Sequence, residues 1–298
     1  MSLLAAELLK TRTRWLPWVL FVVLLLGAGV QVWLFGYTAW WDLHDEADPE
    51  LRNDVPGATR AFVLPWALPT LLDAGQFWGS IIIGVLIASA VATEYNWGTV
   101  RHAIARGQSR DGWLTVKLTG VALFCSALLL LTLAWGIASS IITSNMAGFD
   151  VTLDPAGSVE LSIAEIPLMI LRAGVGVLPY ALLAFALAAI GRSTALGATG
   201  IILFIFIEAA VIGIFDALGG TFEDLLVFSM GHNAASLLAA NRLDSETYAS
   251  LAFRENPDPA SLPDPWFAFV MLAAWCVLLL AVTYYVFRRR DLRLGTGE

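Results

Sequence analysis

Six apolar runs divide this chain, each long enough to cross a bilayer, which takes about 20 mostly apolar residues as a helix. They fall at about 15–37, 71–93, 114–143, 167–190, 195–218 and 265–287. In hydrocarbon the backbone must satisfy its own hydrogen bonds, and a continuous apolar run does so as a helix. The predicted fold is therefore an all-α polytopic membrane protein, with six transmembrane helices in a single domain over 1–298. Composition agrees: 58% of the 298 residues are hydrophobic and 14% are charged, whereas soluble domains carry about 25% charged residues. The third run, 30 residues long, exceeds what a bilayer needs and should tilt or project.

Ahead of the first run, residues 1–14 hold Leu4 and Leu8 on one helical face, which Trp15 continues, and Glu7, Lys10 and Arg14 on another. That pattern predicts an amphipathic helix lying in the interface. A cleavable signal is rejected, because the apolar run is too long for one and no small-residue cleavage site follows it. Trp15 and Trp18 at one end of the first span, and Trp33, Tyr37, Trp40 and Trp41 at the other, suit the two water interfaces.

Charge is divided unequally between the two sides. The N-terminus, the stretch from Glu94 to Lys117, the turn at Arg192 and the C-terminal tail hold 12 of the 17 Lys and Arg but 5 of the 25 Asp and Glu. The rest of the chain carries 5 basic and 20 acidic residues. The positive-inside rule then puts both termini in the cytoplasm of a multi-pass protein of the cell (inner or plasma) membrane, with outer loops at 38–70, 144–166 and 219–264. The first outer loop is acidic and broken by Pro56, Pro65 and Pro69. The last opens with a half-apolar stretch from Phe222 to Leu243 that predicts one or two short interfacial or re-entrant helices, and closes with a Pro-rich loop.

Catalytic spacings are missing. The chain has no HExxH, no CxxC, no Gly-x-Ser-x-Gly and no Walker-type glycine loop. His44, His102 and His232 are scattered, and Cys125 and Cys276 each lie inside an apolar run. No metal, cofactor or nucleic-acid partner is expected. Energy for uphill movement must come from a partner or an ion gradient.

Two regions remain as candidates. One is intramembrane: Glu208, near the middle of the fifth span, is costly in hydrocarbon unless paired, protonated or hydrated. Arg172 in the fourth span is its expected partner, with Asp216 competing for the same cation. A pathway carboxylate and a structural ion pair are both open. Gly75, Gly79, Gly174, Gly176, Gly197 and Gly200 fit close helix approach.

The second region is the loop from Glu94 to Lys117, which carries Arg101, Arg106 and Arg110. Thr99–Ala105 predicts two helical turns, with Val100, Ala103 and Ile104 on one side and Arg101 and Arg106 on another. Gly107 should end that helix and Ser109 cap the next. Such a helix is either a rigid element for a soluble partner to push on, or an ordinary loop whose arginines touch anionic lipid headgroups.

The pattern E-Y-x-x-G-T-V-R, then R-G-Q-S-R, then W-L-x-x-K resembles the inner loop of ABC type-2 transporter permeases, carried here by Glu94, Gly98, Thr99, Arg101, Ser109, Arg110 and Lys117. The tail Phe287-Arg288-Arg289-Arg290-Asp291-Leu292, the N-terminal ELLKTRTRW and the six-span layout are similar too. The long acidic first outer loop departs from many such permeases. The resemblance implies a non-catalytic exporter subunit that pairs with a second permease chain, identical or paralogous, and with two cytoplasmic ATPase subunits binding ATP and Mg. The loop would be the coupling element, with Arg101, Arg106 and Arg110 as contacts. An ion-coupled secondary carrier using Glu208 and a membrane-embedded enzyme are the competing readings.

Overall fold

A computed structural model describes residues 5, 9–10, 12–44, 59, 62–64, 66–149, 165–241 and 262–289. Most of the expected interfacial helix, the middle of the first outer loop, most of the second, the Pro-rich loop and the tail after Arg289 lie outside the described residues. Among the described residues every regular element is helical. Six helices are long and apolar enough to cross a membrane.

The first span is α1 (Trp15–Val32), which runs through a π-helical turn (Trp33–Thr38) into α2 (Ala39–His44). The second is α3 (Ala67–Asn96), followed by the short α4 (Thr99–Ala105) and by α5 (Arg110–Met146), which carries the third span beyond its first turns. Spans four and five are α6 (Ile166–Gly191) and α7 (Thr194–Leu218). Then come α8 (Thr221–Leu225), a 3-10 turn (Leu226–Phe228), α9 (Met230–Ala239) and the last span, α10 (Pro265–Arg289).

Several helices outrun their apolar runs, and local chemistry accounts for one end. The α5 helix starts at Arg110 because the Ser109 hydroxyl accepts from the Gly112 amide at 3.0 Å, satisfying one of the donors a helix start leaves open.

At the centre, α3 packs along α6, and the remaining spans surround this pair. The most apolar stretches of α3 and α6 are 61% and 56% buried, against 11% for α7 and 12% for α1. Accordingly α7 turns Leu203, Phe206, Ile207 and Ile214 outward, as hydrocarbon solvent permits.

Close approach of α7 to the central pair rests on Gly197. A Cβ there would stand 2.7 Å from that of Ala88 and 2.8 Å from that of Ala188. Gly176 and Gly200 also sit against neighbours, Ala234 and Leu187. Gly79 and Gly174 do not mark helix contacts as their spacing suggested, since a Cβ at either would meet open space.

At the end of the bundle where α1 passes into α2, the π-helical turn brings Tyr37 and Trp40 onto Phe62, with ring centroids 5.9 and 6.0 Å away, and Trp40 onto Phe149 at 5.6 Å. The Ser140 hydroxyl of α5 donates to the Phe62 carbonyl beneath these rings. Behind α7, α9 lies buried from Met230 to Leu238, against α6 and α10.

Candidate functional site

Basic residues gather at one end of the bundle, called here the basic end. The stretch before α1, the α3–α4–α5 turn, the α6–α7 turn and the last turn of α10 meet there. Its hub is Glu94, on the last turn of α3 and 2% exposed. Its Oε1 lies 3.1 Å from Lys117 Nζ, on α5, which is equally buried. Lys10 Nζ reaches the same oxygen at 3.2 Å from a half-exposed position. Two carboxylate-facing ammonium groups offset the desolvation that a buried charge suffers.

The residues after Glu94 turn the chain sharply. Gly98 holds a left-handed backbone, φ 69°, ahead of α4, a region glycine enters without steric penalty. The Thr99 hydroxyl donates back to the Glu94 carbonyl at 3.2 Å. Thus Glu94, Gly98 and Thr99 form one unit: an anchor, a swivel and a tie. After α4, Gly107 takes φ 91° and the chain enters α5 at its Ser109 cap.

The apolar side of α4 is held down: Val100 is buried with Val91, Trp113 and Leu114, and Ala103 and Ile104 pack against that cluster. His102 and Arg106 are exposed. The side chain of Arg101 lies outside the described ones. Arg110, which the resemblance makes a contact for a partner, donates to the carbonyls of Phe287 and Arg288 at 3.4 and 2.8 Å. Glu94 and Lys117, also part of the loop motif, are buried against each other.

Further ties join this loop to the chain ends. Asp111 takes a two-pronged contact from Arg288, with oxygens at 2.8 and 2.5 Å. The hydrogen bonds from Arg288 hold the Asp111 carboxyl below the usual aspartate range. Trp113 stacks on Phe287 at 5.3 Å, and the Arg14 guanidinium lies 5.3 Å from the Trp97 ring. Trp113 and Phe287 belong to the loop and tail patterns, while Lys10 and Asp111 are support residues that those patterns did not single out.

Inside the bundle, the expected Arg172–Glu208 pair is not formed. Arg172 donates to the Ala240 carbonyl at 2.9 Å and to Asn241 Oδ1 at 3.1 Å. Glu208 accepts from the Tyr180 hydroxyl at 2.6 Å and from the Gly231 amide at 3.0 Å. Asp216 is exposed near the end of α7. The reason is α9, which folds back into the bundle and brings the Gly231 amide to the carboxylate and the Ala240 carbonyl to the arginine. Tyr180, the one tyrosine of the fourth span, was the available signal for a donor at that depth.

Residues 70–293, which cover five spans and the whole α3–α5 turn, match the family described as Protein of unknown function (DUF2705). The chain belongs to that family. No curated protein matches it. Within this DUF2705 chain the matched stretch takes in Glu94, Lys117 and Glu208 but not Lys10.

Proposed function

We propose that this chain is the permease subunit of an ATP-driven exporter of the ABC type. It forms the transmembrane pathway with a second permease chain and couples to cytoplasmic ATPase subunits that carry ATP and Mg. In this reading the basic end faces the cytoplasm of the plasma membrane, which the positive-inside asymmetry supports. The chain itself catalyses nothing.

The observation that carries this reading is the mounting of α4. A seven-residue helix sits between two spans with its apolar side packed down and His102 and Arg106 outward. Its entry is fixed by Glu94, Gly98 and Thr99, and its exit is tied to α10 through Arg110 and Asp111. A push on α4 therefore bears on α3, α5 and α10 together, which is what transmission from a soluble motor needs. The likeness of this stretch to ABC type-2 permeases supports the same reading.

A test is affinity purification from native cells, comparing wild type with a His102→Glu, Arg106→Glu variant. These side chains are exposed, so the fold should persist. An ATP-binding protein that accompanies wild type and is lost from the variant supports the proposal. Purification of wild type alone, folded and in good yield, contradicts it.

The hydrogen-bonded Glu208 keeps the ion-coupled carrier as a second reading. That reading requires the isolated chain to transport under a pH gradient, with Glu208→Gln abolishing the transport.

A further inference from the structure

Beyond Leu218 the chain reverses. Gly219 and Gly220 take φ 63° and 58°, a left-handed pair that glycine enters freely, and the Phe222 ring comes back onto Phe215 of α7 at 5.5 Å. The chain then runs back along α7 far enough for the Gly231 amide to meet Glu208, ten residues before the end of that helix. A second ruler agrees. The Trp275 indole donates to the Phe228 carbonyl at 2.9 Å, and Trp275 lies ten residues after the start of α10. Both helices hold 25 residues, so the turn between α8 and α9 stands roughly 15 Å from their ends, close to mid-length. The α9 helix leads out again, and the Asn241 amide group donates to the carbonyl of Met169, three residues into α6.

At that depth in a bilayer, backbone that leaves a helix must find its partners inside the protein. This turn finds them. Asn233 Nδ2 donates to the carbonyls of Val227 and Ser229 at 2.7 and 2.6 Å, and the Ser229 hydroxyl accepts from the His232 amide at 3.0 Å. The N-terminus of α9, the positive end of its dipole, meets a carboxylate that Tyr180 also holds. The other side of the segment is apolar and outward. Phe222, Leu225 and Phe228 are exposed, Phe228 by 57%. Ile214 and Leu218, beside the Phe215 on which Phe222 packs, are exposed too, so the outward apolar face of α7 runs on into this segment. Asp224 is exposed as well, in the entry half.

We propose that residues 219–241 form a re-entrant hairpin that dips to about the middle of the bilayer from the end opposite the basic one, with Phe228 against acyl chains and Glu208 as the anchor of its turn. Composition left this stretch as interfacial or re-entrant, and the bonds to Glu208 and Trp275 argue for the second. Glu208 is a positioning residue here. It holds α9 by its N-terminus at a depth where a loose amide and a loose carboxylate would each be costly. Acyl chains are the occupant of the outward side because that side continues the face of α7, and hydrocarbon solvates both without a matching surface. The proposal does not rest on the exporter reading, since neither cargo nor ATPase enters it.

The experiment places one nitroxide at a time in the full chain carrying Cys125→Ala and Cys276→Ala, reconstituted in phospholipid vesicles. It measures collision with oxygen, which concentrates in hydrocarbon, and with a water-soluble nickel chelate. A label at Ile207 marks the depth of Glu208, and one at Leu218 marks the end of α7. The label at Phe222 should resemble that at Leu218, and the label at Phe228 should lie as deep as that at Ile207. In Glu208→Ala the Phe228 label should gain nickel collisions severalfold, while a label at Leu131 on α5 stays unchanged. Glu208→Gln keeps an oxygen for the Gly231 amide and should keep the wild-type depth. Tyr180→Phe should shift the label the same way by less, and it decides the anchor role where Glu208→Ala does not fold. A Phe228 label as open to nickel as the Phe222 label would overturn the hairpin. One shielded from oxygen and nickel alike, as under a second copy of the chain, would overturn the acyl contact. A depth indifferent to both Glu208→Ala and Tyr180→Phe would overturn the anchor.

Discussion

Glu94 and Lys117 form an ion pair of 3.1 Å in which each side chain is 2% exposed. One stands at the end of the second span and the other in the first turns of α5, so the pair fixes the separation of the two helices that carry α4. Losing one partner of such a pair strands a charge and typically costs about 3–5 kcal/mol, whereas removing both costs much less. Glu94→Gln and Lys117→Met should each lower the unfolding midpoint in detergent substantially. The double variant should recover part of the loss. Lys10→Ala, on the half-exposed arm, should cost about 1 kcal/mol or less.

The Asp111–Arg288 contact gives a pH dependence of definite sign. The folded carboxyl titrates below its ordinary value of 3.8, so the contact contributes fully above that value and is lost as pH falls through the folded one. Amide-exchange protection at the end of α10, taken relative to the intrinsic rate at each pH, should be constant between about pH 5 and 8 and should fall at more acid pH. In Asp111→Asn that protection should be lowered at neutral pH already, with the acid-side change removed.

Gly231 brings α9 against the Glu208 carboxylate. A Cβ there would stand 3.0 Å from Ile212 Cδ1, 3.2 Å from the Tyr180 hydroxyl and 3.3 Å from Glu208 Oε2. Gly231→Ala should therefore destabilise by about 1–3 kcal/mol through overpacking. Tyr180→Phe removes a hydrogen bond to a carboxylate and should cost about 1.5–3 kcal/mol. Glu208→Gln keeps an oxygen acceptor and should cost less than either. Thermal unfolding of the three variants checks the order.

Gly197 offers a contrast within one helix family. Gly197→Ala meets Ala88 and Ala188 below 3.0 Å and should destabilise by about 1–3 kcal/mol. Gly79→Ala meets nothing within 4 Å and should be neutral or slightly stabilising.

These contrasts separate what periodicity reveals from what only packing reveals. The spans were legible because hydrocarbon leaves a long apolar run one option, and α4 was legible because Gly107 and Ser109 punctuate it. The glycines were not, since Gly79 and Gly197 look alike in a sequence and differ only in what stands opposite. The misassigned partner of Glu208 has a similar origin. Charge and depth pointed to Arg172, but α9 enters the bundle from a segment whose composition also suits the interface. Lys10 was unreadable as a partner of Glu94 because 84 residues separate them. In the loop itself the residue types were readable and their contacts were not. Glu94 and Lys117 are buried against each other and Arg110 reaches the end of α10, while His102 on α4 and Arg106 just after it are exposed.

The central claim is that α4 meets a soluble ATPase. The direct measurement is photo-crosslinking in native cells from a benzophenone amino acid placed at exposed Ala105, beside the same probe at Leu131 on the apolar surface of α5. The account predicts a defined adduct with an ATP-binding protein from Ala105 and none from Leu131. A correctly folded chain that yields only lipid adducts from Ala105 would contradict it.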